Sequence, residues 1–161
     1  MDTSFFLDFI SEIAYFLIVF GFLFAFSLFK GRQAIINLIV ALYLALLVSV
    51  EFPYYDVVLS NLGGAVSIAA AKMFIFLVFT ILATILCFRI MPSQFRESNF
   101  ESFSKKFTLA LCATVLVMIF SFHVLPVTEF LTPGTPIKSL FAPAEYFFWW
   151  LIFPLIALFI L

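Results

Sequence analysis

A chain of 161 residues of which 66% are hydrophobic and 11% charged is excluded from the water-soluble class, where about 25% of residues are charged and 45–50% apolar. A fold of this size has too little interior to hide so much apolar surface. Its net charge of −1 removes the basic surface that nucleic-acid recognition requires. The expectation is a single all-α integral membrane helical bundle.

The first twelve residues carry Asp2, Asp8 and Glu12 and no Lys or Arg. A secretory signal begins with positive charge and ends at a small-residue cleavage site, so this segment is expected to stay as an acidic lead into a first helix. Charges and prolines divide the remainder into five apolar stretches, with spans expected at 13–29, 34–50, 65–88, 107–125 and 145–161. Apolar runs of 16 to 19 residues reach roughly 24–29 Å as helices, against a hydrocarbon core of about 30 Å. Snorkelling of the flanking Lys and Arg side chains and slight thinning of the bilayer close the gap. Strand-like alternation is absent.

The first span lies between Glu12 and Lys30, and the second between Arg32 and Glu51. Asn37, early in the second, is the best candidate for a hydrogen bond between helices. "EFPYYD" (51–56) ends that helix at Pro53 and sets Phe52, Tyr54 and Tyr55 at headgroup level. In "GGAVSIAAAKMFIF" (63–76), Gly63, Ser67 and Ala71 form a small-residue stripe that permits close helix approach. Residues 57–71 either lie in the outer interface or extend the third span. Lys72 reads first as an outer-interface anchor, about 25 Å along the helix from Arg89. Alternatively it pairs with Glu12, Glu51 or Glu145, which end their helices at a similar depth.

The connection 89–106 is expected in the cytoplasm, followed by the fourth span. The Pro-rich loop 126–144 faces outside, with a short interfacial helix near 136–141. In the fifth span Pro154 is expected to kink the helix and leave a backbone carbonyl to be satisfied locally. Six of the eight basic residues fall on one side of alternating spans and only Lys72 and Lys138 on the other. The excess of Lys and Arg puts that side in the cytoplasm, with the N-terminus outside and the C-terminus inside. The third and fourth spans are expected to pack as a hairpin, which would bring Cys87 and Cys112 near each other.

Little chemistry is expected. His123 is the one histidine, and with two cysteines at the other side it supplies no metal site. Cys87 and Cys112 read as small apolar fillers. Nucleotide, serine-hydrolase and zinc-protease motifs are missing. Ser27, Thr80 and Thr84 are expected to bond back to their own helices. No cofactor, metal or catalytic residue is expected.

The stretch "FSLFKGRQAIINLIVALYLALLV", 26–48, resembles the first hairpin of the colicin V production protein family. These are small bacterial inner-membrane proteins that begin outside and turn at a basic, glycine-containing junction, here Lys30-Gly31-Arg32. The family's later Arg/Gly-rich turn is missing, and "MPSQFRESNFESFSKK" stands there instead. The resemblance implies a bacterial cytoplasmic membrane.

The leading functional expectation is a non-catalytic subunit or scaffold of a larger envelope complex, with secretion among its candidate roles. Its expected partners are the lipid bilayer and either further copies of itself or other membrane proteins. The alternative is a small transporter or channel component acting as an oligomer, using Lys72, Asn37 and the outer glutamates with Pro154 as a gate.

Overall fold

The computed structural model describes residues 3–60, 63–91, 101–123, 141 and 143–160. Among these the secondary structure is entirely helical: α1 Thr3–Lys30, α2 Arg32–Val50, α3 Tyr55–Leu59, α4 Ala65–Ile90, α5 Glu101–His123 and α6 Ala144–Ile160. Each boundary has a local cause. Gly31 alone separates α1 from α2, at φ 87°, a left-handed conformation open to glycine at little cost. Pro53, three residues after the last residue of α2, keeps the helix from continuing. Gly64, at φ 109°, immediately precedes α4, and the Pro143 carbonyl accepts the Tyr146 N–H to open α6.

Among the described residues, four helices are long and apolar enough to cross a membrane: α1, α2, α4 and α5. A shorter apolar helix, Glu145–Ile160, joins them. This is the architecture of a multi-pass integral membrane protein. The surface agrees, since Phe22 is 73% exposed, Phe29 88% and Phe159 92%, a distribution that lipid accommodates and water does not.

The core lies along α2 and α5. Over half of the apolar stretch of α5 is buried (56%), and 44% of that of α2, against 11% each for α1 and α4. α5 touches α1, α2 and α6, while α4 packs chiefly on α2. The expected pairing of the third and fourth spans as a hairpin is therefore corrected: the main neighbour of α4 is α2. The contact between α4 and α5 is carried by rings such as Phe76 and Phe120, 5.8 Å apart. The physical reason is α5 itself, whose buried face is already covered by three other helices.

Aromatic rings fill the α1–α5 seam. Phe16, Phe20 and Phe24 stack along α1, and Phe20 and Phe24 meet Phe107 edge-on at 5.3 and 5.7 Å. Phe24 also meets Phe103, at 5.6 Å. Edge-to-face pairs of this kind contribute about 0.5–1.5 kcal/mol each beyond their buried area. The antiparallel register that results collects Lys30, Arg32, Arg89, Lys105 and Lys106 at one end of the bundle.

Candidate functional site

Among the described residues, the hydrogen bonds between elements include four that fasten the bundle. At the basic end, the buried Asn37 donates through Nδ2 to the Met91 carbonyl at 3.2 Å, tying α2 to the end of α4. Gln33 donates to the other end of the same amide, at 2.9 Å. Farther along α2, the Tyr43 hydroxyl donates to the Leu151 carbonyl of α6. That carbonyl sits in the turn preceding Pro154, which has no N–H to return to Trp150 and whose ring crowds the turn before it. Pro154 is buried inside a helix that continues through it. The carbonyl that the sequence leaves to be satisfied thus lies beside one met by a phenol from another helix.

Near the opposite end, the Tyr15 and Ser121 hydroxyls lie 3.1 Å apart and join α1 to α5. The fourth bond joins Ser49 to Tyr55 at 2.7 Å, folding α3 back over the end of α2. Phe52 supports that fold by meeting Phe79 of α4 edge-on at 5.3 Å.

Among the described residues, the recesses include two that bear on function. The larger, about 580 Å³, is a groove between α1 and α4 with α2 and α5 as its floor. Ile18, Phe22, Phe74 and Leu77 are its exposed lips, and Leu23, Leu42, Phe76 and Ser121 are buried in its floor. Tyr15 and Thr80 add hydroxyls to an otherwise apolar wall. The smaller, about 270 Å³, lies at the far end of α2 between Ser49, Tyr55, Asp56 and Lys72.

The small recess sets the surroundings of Lys72. Lys72 stands two turns inside α4, half-buried, and shares its recess with Asp56. Among the described residues no ion pair joins it to Glu51 or Glu145. Both glutamates are exposed, Glu51 at the end of α2 and Glu145 in the first turn of α6. The cause is simple: α3 intervenes and brings Asp56 to the recess instead. The side chains of Glu12 and His123 lie outside the described ones, as does the expected interfacial helix near 136–141 except for Phe141. That ring is buried, 4.9 Å from Trp150.

The small-residue stripe is turned outward. Gly63 and Ser67 are exposed and Ala71 only half-buried, and a methyl group built on Gly63 would meet nothing. The residue of this segment that α4 buries is Ala69, on a different face. Of the segment expected either in the outer interface or in the third span, residues 57–59 belong to α3 and 65–71 to the start of α4. Cys87 and Cys112 are buried free thiols. Thr80 and Thr84 donate to the carbonyls of Phe76 and Thr80, one turn back, whereas the buried Ser27 hydroxyl has no hydrogen-bond partner. Among the described residues no cluster of His, Cys, Asp or Glu could hold a metal.

Sequence reasoning missed Tyr15, Tyr43, Asp56 and Ser121. A signal for the tyrosines was present, since Tyr15 and Tyr43 fall inside apolar runs, where a phenol needs a partner. Asp56 was hidden because nothing in the sequence announces how α3 folds back. No protein-family model, curated protein or solved structure matches the chain.

Proposed function

We propose that this chain is a non-catalytic integral membrane subunit, a scaffold or assembly partner in a larger envelope complex, crossing the membrane five times. The fifth crossing is α6, whose 17 residues reach about 26 Å, enough for a slightly thinned bilayer. Lys30, Arg32, Arg89, Lys105 and Lys106 gather at one end of the bundle, which supports a cytoplasmic position for that end and an outside N-terminus. The resemblance of residues 26–48 to the colicin V production proteins supports a bacterial cytoplasmic membrane.

One observation carries the subunit reading. Where α4 begins, Gly63, Ser67 and Ala70 are exposed, and the Ser67 hydroxyl donates locally, to the Gly63 carbonyl at 3.4 Å. Elsewhere its exposed face is built from large side chains such as Phe74, Leu77, Ile81 and Ile85. Small residues let a second helix approach closely, and this is the stretch of α4 that offers them outward. The partner is another membrane helix, from a second copy or a different protein. With Ser67→Cys, oxidation in native membranes should yield one discrete cross-linked species, because the native thiols are buried. A smear of random products, or no product, contradicts the reading.

The Lys72 recess favours a second reading, a small transporter or channel component acting as an oligomer. Lys72→Ala would then abolish efflux of a trapped ion from reconstituted vesicles while leaving expression and assembly intact. Efflux equal to the parent chain's would contradict it.

A further inference from the structure

The groove between α1 and α4 has a hydrogen-bonding character set by its own internal bonds. Ser121 donates its single proton to the Val117 carbonyl at 2.7 Å. The contact between Ser121 and Tyr15 at 3.1 Å must then take its proton from Tyr15. Thr80 likewise donates to the Phe76 carbonyl at 2.9 Å. A hydroxyl has one proton and two lone pairs, so all three protons are committed and only acceptor capacity remains. Tyr15 and Thr80 are both half-buried in the groove wall.

The groove's dimensions narrow the occupant. It runs from Tyr15 to Leu23 on α1 and from Met73 to Thr80 on α4, roughly 11–12 Å along the helix axes. The groove offers about 580 Å³, inside the range of roughly 300–1,000 Å³ usual for small-molecule sites. Its lips face the lipid, so entry is lateral. Tyr15 stands 15 residues from Lys30, about 22 Å along the axis, which leaves it some 7–8 Å below the far boundary of a 30 Å hydrocarbon core. At that depth a hydroxyl or amide N–H at the head of an apolar chain is within reach.

We propose that the α1–α4 groove binds a membrane amphiphile with a single apolar chain or ring system and a polar end that donates a hydrogen bond, of the long-chain alcohol or amide class. Lipids whose polar end offers only acceptors meet acceptors in the wall and are rejected. The site stands independently of how the chain assembles.

The test uses the full chain released from detergent in native mass spectrometry, with 1-octadecanol and its methyl ether as matched probes. The parent chain should carry about five times more alcohol than ether adduct, the discrimination given by one net hydrogen bond of about 1 kcal/mol. Tyr15→Phe should remove the preference. Tyr43→Phe, which deletes an interhelical bond outside the groove, should retain it. Equal adducts of the two probes on the parent chain overturn the proposal. So does loss of the preference in both variants, which would report a loosened bundle rather than a lost contact. A photo-crosslinking residue at position 22 should capture lipid in native membranes. Capture of one defined protein there instead would give the groove to a partner helix and also overturn the proposal.

Discussion

Asn37 is fully buried in an apolar bundle, and both ends of its amide are bonded. Asn37→Leu leaves the Met91 carbonyl and the Gln33 amide without it, and hydrogen bonds between membrane helices contribute about 0.6 kcal/mol on average and up to about 1.7. A loss of about 1 kcal/mol is expected in reversible unfolding by denaturing detergent. Ser27→Ala is the contrast. The Ser27 hydroxyl is buried without a partner, so removing it should be neutral or slightly stabilising in the same assay. At Gly31 the cost is conformational, because an added methyl group would meet nothing but φ is 87°. Gly31→Ala should therefore destabilise by about 1–2 kcal/mol. Asn37 was legible in the sequence because an amide inside an apolar run has few alternatives to bonding another helix. Lys72 was half legible: its depth followed from counting turns, but its neighbour Asp56 depended on the fold of α3.

The elements themselves were legible wherever glycine and proline mark an end. Gly31, Pro53, Gly64 and Pro143 all lie within three residues of a helix boundary. Which helix packs on which was not legible. The helices are apolar nearly all round, so no stripe distinguishes a face toward protein from a face toward lipid, and adjacency was inferred from chain order alone. That is why α4 was expected against α5 and is found against α2. The same limit applies to the Gly63–Ser67–Ala71 stripe, whose spacing says that a helix could approach but not whose helix it is. The phenylalanines give the element-scale test. Phe24 meets three rings, those of Phe20, Phe103 and Phe107, so Phe24→Ala should cost about 1.5–3 kcal/mol. Phe29, 88% exposed near the end of the same helix, should change stability by less than about 0.5 kcal/mol when made Ala. Equal losses at the two positions would mean that the aromatic seam does not hold α1 to α5.

For the whole molecule, the gathering of five basic residues at one end predicts an orientation that can be read by labelling. Cysteines introduced at Ser60 and Ser104, both exposed, should differ in intact cells. Ser60→Cys should react with a membrane-impermeant maleimide, and Ser104→Cys only after permeabilisation. The reverse pattern would invert the topology. Bonds at both ends and at the α2–α6 contact hold the helices in fixed relation, and the features left over, the small-residue opening of α4 and the α1–α4 groove, both face outward. The proposed role of such a body is to hold other membrane components. The most direct test of that claim is native mass spectrometry of the chain extracted gently from its own membrane. The account predicts a complex of fixed stoichiometry that Ser67→Trp, by blocking close approach of a second helix, dissociates. A lone monomer, or a complex indifferent to Ser67→Trp, would contradict it.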